Sequence, residues 1–464
     1  MTKRILLITH AIILLVLWVL AFFTDGTGGG GDSITHFFFA QLAWKEPINF
    51  FDHWGKPFFT LFASPWAQFG FIGIKFFNIF CGVFSSYLTA LIAIRLSKPW
   101  PWAITIMAFV APAYYTFLFS GLTEPFSSLV VVGAVYLCLS GKMGWGLFLA
   151  SFLPFCRSEA QVFLLFFFVF AVLNKGWKLT PLLLSGYLIY ALVGSLYLES
   201  PLWIFEVPYN PTGSVYGHGE WLHHVNMLTH MLGVPFIILA GLGLIQFLRK
   251  AFIQGSFKWK SELWLVHGIF FSLLVGHTVV WALGIYGSAG LSRTLITVFP
   301  LLWLIMLDGL ILLKDISAKL FTGRSYILPL LIIIIQAGIT FSSPVSKYYY
   351  NAHLKLNPED HFINSEIGPL IKEMYPDIRH FVIDKPYLAI GLGINFIDPQ
   401  ERSNWNVYNH LDELTQPSLF IFDQQYITVQ YGIELQQVRQ EQKLEELHEW
   451  TSPSGLKYVL FQKK

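Results

Sequence analysis

Long apolar runs broken by short polar turns fill the chain as far as about residue 342, and there the pattern changes. A run of about 20 apolar residues matches the hydrocarbon core of a bilayer. Eleven such segments are predicted, at about 5–23, 69–94, 101–119, 122–139, 144–156, 159–173, 180–198, 229–248, 262–285, 293–313 and 325–342, of which the fifth and sixth are short. The first is longer than a signal-peptide core, lacks a small-residue cleavage site and is followed by more spans, so it reads as structure. Between the first two spans lies an unusually long polar stretch, 24–68, with two amphipathic aromatic segments suited to the membrane interface. Beyond 345 the apolar runs shorten to strand length, at His380–Asp384, Ser418–Asp423 and Leu456–Phe461, with helical candidates at 363–375 and 433–448. Short apolar runs alternating with helices predict a small α/β domain over 345–464. The fold class is therefore a polytopic α-helical membrane protein of about 11 transmembrane helices (1–342) carrying a small extracytoplasmic α/β domain.

Composition agrees with that class. Hydrophobic residues make up 55% of the chain and charged ones only 12%, against about 25% charged in soluble proteins. A net charge of +2 without a basic cluster gives no reason to expect a nucleic-acid partner. Cys81, Cys138 and Cys156 all lie in apolar segments, with neither a disulfide framework nor metal-ligand spacing.

Charge sets the orientation. Segments on one side hold fourteen basic residues: Lys3, Arg4, Arg95, Lys98, Lys142, Lys175, Lys178, Arg249, Lys250, Lys258, Lys260, Lys314, Lys319 and Arg324. The opposite loops between spans hold four, Lys45, Lys56, Arg157 and Arg293. The positive-inside rule then puts the N-terminus in the cytoplasm and everything after 342 outside. Acids gather on the outer side, at Asp25, Asp32, Glu46, Asp52, Glu124, Glu159, Glu199, Glu206 and Glu220. Acids contribute little to topology, so this clustering needs another cause, and ionisable residues at a membrane boundary mark function by default.

Asp32 stands out among them. It follows a glycine run, Gly26-Thr-Gly-Gly-Gly-Gly31, and opens an amphipathic stretch in which four-residue spacing sets His36 on the same helical face. Two readings are open: an N-cap that accepts the first free amides of the helix, or a reactive carboxylate at the membrane surface. Nearby lie Asp52, His53 and Lys56; farther along come Ser120-Gly-Leu-Thr-Glu-Pro125 with Glu124, Arg157-Ser-Glu159, the stretch Tyr209 to His224 with His218, His223 and His224, and Ser288 to Arg293. Each has a plainer structural alternative. Glu124 could cap a helix, Arg157 and Glu159 could neutralise each other, the histidines could be surface residues, and Arg293 and Lys56 could reach lipid headgroups. A divalent metal held by Asp32, His36, Asp52 and His53 is only weakly specified by these spacings.

The ordered set resembles the C-type integral-membrane glycosyltransferases, and within them the bacterial members related to protein mannosyltransferases and aminoarabinose transferases. The likeness rests on an Asp in a long first outer loop, the interfacial aromatic helix after it, Thr-Glu-Pro between the third and fourth spans, and Arg-x-Glu two spans later. It covers roughly residues 1–310 by layout, and the C-terminal domain only by placement. Many relatives show an Asp-Glu pair where this chain has Asp32-Ser33.

The resemblance implies inverting transfer of a sugar from a polyprenyl-phosphate donor to a glycan, lipid or protein acceptor. The setting is the outer face of a membrane, here expected to be a bacterial inner membrane. Asp32 would be the general base, with Glu124 also in the catalytic set. Arg293, Arg157 and Lys56, with His218, Glu159, His36, Asp52 and His53 around them, would line the lipid-phosphate and sugar site, arginine's planar fork suiting phosphate best. Two rivals differ in class. A lipid-linked oligosaccharide transporter would place charges through the midplane, whereas these gather at one face; a scaffold for the C-terminal domain would need only one span.

Overall fold

The computed structural model describes residues 3–28, 30–206, 213–214, 216–253, 260–322 and 324–464; Tyr209 and Lys258 lie outside the described residues. Among the described residues five helices are long and apolar enough to cross a membrane: Lys3–Ala21, Phe71–Arg95, Trp177–Leu198, Leu263–Leu283 and Ser292–Leu320. Phe71–Arg95 and Ser292–Leu320 are largely buried at the centre, whereas Lys3–Ala21 turns Ile8, Ile12, Leu15 and Val19 outward, as a lipid-facing helix does.

The other predicted spans are shorter or broken. Glu124–Leu139, Met143–Cys156, Ser158–Leu173 and Ile327–Ser342 form apolar helices of 10–17 residues. The segment expected at 101–119 divides into Ala103–Val110 and Pro112–Phe117 around an extended Ala111 (φ −77°, ψ 119°). Proline disfavours helical backbone at the residue before it, which explains the break. The span placed at 229–248 is really two helices, His223–Leu232 and Val234–Ile253, meeting at 116°. Gly233 makes the corner with φ 88°, and a β-carbon there would lie 2.6 Å from Gln336 Oε1.

The C-terminal domain is built on a five-stranded sheet. Its strands are β1 His380–Val382, β2 Arg402–Ser403, β3 Ser418–Asp423, β4 Leu444–Thr451 and β5 Lys457–Lys463, in the order β2-β1-β3-β5-β4. β1 runs parallel to β2 and β3, while β5 is antiparallel to β3 and β4. Side chains alternate along a strand, and β3 uses both faces. Phe420 and Phe422 pack with Val459, Phe461 and Trp405 in one core, while Leu419 and Ile421 join the large core that continues into the helical body. The helix predicted over 433–448 is corrected: only Leu435–Gln440 is helical, and 444–448 belong to β4, with a turn between them.

This domain is seated on the stretch between Lys3–Ala21 and Phe71–Arg95. Gly26 N donates to the Leu354 carbonyl at 3.1 Å, and Leu356 N donates to Asp25 Oδ1 at 3.0 Å. Lys45 Nζ pairs with Asp398 Oδ2 at 2.7 Å, and Asn395 Nδ2 donates to Phe38 O and Gln41 Oε1.

Candidate active site

Asp32 lies in the first turn of the helix Gly31–Leu42, but Gly30 is its N-cap and no side chain caps it. The capping reading of Asp32 is thus replaced: its carboxylate gains from the helix dipole while its oxygens serve another partner. Ser33, the residue after Asp32, acts as a clasp. Its Oγ donates to the Thr27 carbonyl and accepts from Gly121 N at 2.6 Å. Glycine is required on both sides of the clasp. Gly28 has φ 70°, and an added β-carbon would come within 2.4 Å of Ser120 Cβ; one on Gly121 would lie 2.2 Å from the Ser33 carbonyl. Asn78, from the central helix Phe71–Arg95, donates to the carbonyls of Ser120 (2.6 Å) and Leu122 (2.8 Å) and fixes the same turn. The turn ends in the helix Glu124–Leu139, so Asp32 and Glu124 are set by one packed unit.

A continuous chain of ion pairs results. Arg293, at the start of Ser292–Leu320, pairs through Nη2 with Asp32 and faces Glu124 Oε1 with Nε at 3.4 Å. Arg157 Nη1 reaches the same Glu124 oxygen at 2.8 Å, and its Nε bonds Glu159 Oε1 at 2.5 Å. His277 Nε2 stands 3.7 Å from that Glu159 oxygen, and Thr123 Oγ1 accepts from Arg157 Nη1 at 3.1 Å. Glu124 is buried (1% exposed), whereas the Asp32 side chain is 43% exposed, so the chain is sealed at its middle and open at its Asp32 end. Burial alone would raise the Asp32 pKa, but the Arg293 guanidinium, with Arg157 behind it, holds it below the ordinary carboxylate value.

Lys56 comes in from the stretch between Lys3–Ala21 and Phe71–Arg95. It is buried, caps the helix Pro57–Ala67 in a left-handed backbone conformation (φ 62°), and donates to His53 O at 3.2 Å and Ser158 Oγ at 3.4 Å. That backbone conformation costs a residue bearing a β-carbon about 1–2 kcal/mol, so the surroundings hold the ammonium in place. Burial lowers its pKa to about 8, against the opposing charge of Glu159.

Other expected site residues stand apart from the ion chain. His36 stacks on Trp54 with ring centroids 4.7 Å apart, and burial drops its pKa to about 3, leaving a neutral imidazole. Asp52 Oδ1 accepts from Gly55 N at 2.7 Å and closes a turn. His53 packs on Trp203, and His218 is exposed beside Gly284. Asp32, His36, Asp52 and His53 therefore do not converge, and among the described residues no three His, Cys, Asp or Glu form a metal-binding group.

Two cavities flank the chain. One, of about 380 Å³, is lined by Ser158, Glu159 and His277 together with Val162, Leu273 and Val280, so it has a polar end and an apolar wall. The other, of about 360 Å³, lies between Gly30–Gly31 and the C-terminal domain.

This architecture has solved counterparts. The chain has the fold of ArnT. Two crystal structures of ArnT from Cupriavidus metallidurans, one bound to undecaprenyl phosphate and one in the apo state, match with a TM-score of 0.64 at 11% identity, over 98% of this chain and 97% of theirs. At that identity the likeness concerns the fold. No protein-family model matches the sequence, and no curated protein sequence matches it.

Within the ArnT-like fold, the four sequence-flagged residues Asp32, Glu124, Arg157 and Arg293 meet directly, with Glu159 and Lys56 beside them. Thr123, Ser158 and Ser33 enter the sequence analysis only as parts of motifs, and His277 not at all. His277 carried a usable signal, because an ionisable residue inside an apolar span is functional by default. A lone serine or threonine carries none.

Proposed function

We propose that the protein is a membrane glycosyltransferase that moves a sugar from a polyprenyl-phosphate carrier to an acceptor hydroxyl or amine on the extracytoplasmic side of a bacterial inner membrane. The observation that carries this reading is the ion chain Asp32–Arg293–Glu124–Arg157–Glu159 with Lys56 beside it. The ArnT fold supports it, since one ArnT structure holds undecaprenyl phosphate.

The donor phosphate enters where Arg157, Lys56 and Arg293 can meet it, with its lipid along the apolar wall of the 380 Å³ cavity. Carboxylates occupy the two arginines at rest, so an incoming phosphate competes with them, and drawing Arg293 away leaves Asp32 more basic. The acceptor oxygen or nitrogen then attacks the anomeric carbon. The bond from that carbon to the phosphate oxygen breaks, its electron pair stays with the phosphate, and the acceptor proton passes to Asp32. Fixed cations stabilise the charge gathering on the leaving phosphate. Attack from the Asp32 side, opposite the phosphate, inverts the anomeric centre.

Asp32→Asn tests this. With purified protein and a labelled undecaprenyl-phosphate sugar, turnover should fall by about 10²–10⁴-fold, the usual contribution of a general base. Thermal unfolding should hardly move, because Asp32 is half-exposed at the end of the chain. Turnover within tenfold of wild type would remove Asp32 as the base.

A further inference from the structure

The 360 Å³ cavity borders the residues that lead into Asp32. One wall is the backbone of Gly30 and Gly31, the residues immediately before Asp32, together with Ile34. The other walls belong to the C-terminal domain: Glu359, Asp360, Lys385, Tyr387 and Tyr426. The absence of a side chain at Gly31 allows this closeness, since a β-carbon there would lie 3.3 Å from Tyr426 Oη and 3.4 Å from Pro386 Cγ. The space therefore belongs to both halves of the protein. Neither half encloses it alone.

Its lining has a definite chemistry. Glu359 and Asp360 bring two carboxylates, against one ammonium from Lys385. That ammonium is already engaged: Lys385 Nζ donates to Tyr458 Oη at 2.9 Å and lies 3.7 Å from Asp423 Oδ2. Asp360 is buried and held by Asn357 Nδ2 at 2.7 Å, while Glu359 accepts from Ser454 at 2.5 Å and Tyr458 at 3.0 Å. Burial and the charges of Asp423, Asp360 and Asp32 push the Tyr426 hydroxyl up to about 12, so it stays a donor and feels the Asp32 charge. Carboxylates, tyrosines and amides beside the two residues that lead into Asp32 suit hydroxyl and amine groups. A phosphate would meet net negative charge here, whereas Arg157 and Arg293 belong to the ion chain.

We infer that this cavity is the acceptor subsite, and that it takes a polyhydroxylated group that is neutral or amine-bearing and rejects a phosphorylated one. The inference rests on the glycosyltransferase reading for its meaning as an acceptor site. It assigns the C-terminal domain the choice of acceptor and leaves donor recognition to the helical body.

The test uses the full-length protein in detergent and three soluble probes: glucosamine, glucose and glucose 6-phosphate. Binding is followed by ligand-observed NMR, and undecaprenyl phosphate binding is measured in parallel. Glucosamine should bind best and glucose 6-phosphate worst. Glu359→Gln, which keeps the hydrogen bonds and removes the charge, should weaken glucosamine at least tenfold. Tyr426→Trp, which fills the space, should weaken both glucosamine and glucose. Neither variant should change undecaprenyl phosphate affinity by more than about twofold. Tightest binding by glucose 6-phosphate, or glucosamine binding untouched by both variants, would overturn the inference. Failure of the donor reading shows differently: undecaprenyl phosphate would then bind Arg293→Ala as well as it binds wild type, whatever the sugars do.

Discussion

Raising the pH offers a clean probe of Lys56. Its ammonium is buried, faces Glu159, Asp52 and Glu124 as attracting charges and Arg157 as a repelling one, and has a pKa lowered chiefly by burial to about 8. A lysine with a lowered pKa is charged below that value and loses its charge as pH rises through it. About nine-tenths is protonated at pH 7, about half at pH 8 and about a tenth at pH 9. If Lys56 helps hold the donor phosphate, kcat/KM for the lipid donor should fall along this curve, since that ratio reports groups in the free enzyme. The expected loss is about tenfold between pH 7 and pH 9, carried by KM. Lys56→Arg keeps its charge across this range and should flatten the basic limb, even where its absolute rate is lower. The assay is initial-rate transfer from a labelled donor between pH 6 and 10 for both proteins. A wild-type profile flat to pH 10, or the same fall in Lys56→Arg, would refute the role.

Two further outcomes follow from the buried charges. Glu124→Gln removes the carboxylate that faces Arg157 at 2.8 Å and Arg293 at 3.4 Å; breaking such a buried arrangement should cost about 3 kcal/mol, read by unfolding in detergent, and a loss under about 1 kcal/mol would match only a surface pair. Asp308→Asn should cost about 3–5 kcal/mol, because Asp308 pairs with Lys98 at 2.5 Å and Lys250 at 3.2 Å and is itself 1% exposed. Asp308 has no part in the proposed chemistry, so sugar transfer at low temperature should survive its replacement, and a selective loss of turnover with unchanged stability would contradict that view.

Much of the site was readable from charge placement. Asp32, Glu124, Arg157 and Arg293 stood out because charges are scarce in this chain and all four fell at ends of apolar runs on one side. What joined them was not readable. The Ser33 clasp, the Asn78 bonds and the glycines at 28 and 121 act through close backbone approach, which leaves no spacing signature. His36 and His53 looked like ligands as isolated imidazoles, yet ring packing on Trp54 and Trp203 accounts for them. The span count suffered from breaks that composition hides, at Pro112 and Gly233. β4 misled for a different reason. Leu444, Leu447 and Trp450 recur every three residues, as on a helix, but pairing with β5 and an irregularity between Glu446 and His448 override that local preference.

The ion chain through Asp32 has a kinetic meaning. Three carboxylates (Asp32, Glu124, Glu159) face three cations (Arg293, Arg157, Lys56), so the resting assembly is close to neutral. An anionic donor that binds Arg293 takes that cation from Asp32, the most exposed acid of the ion chain. On the proposed mechanism, the base is armed by the arrival of the donor, and the natural sequence is donor first and acceptor second. The spent lipid phosphate then leaves as Asp32 reclaims its arginine, so release of one product and disarming of the base are a single event.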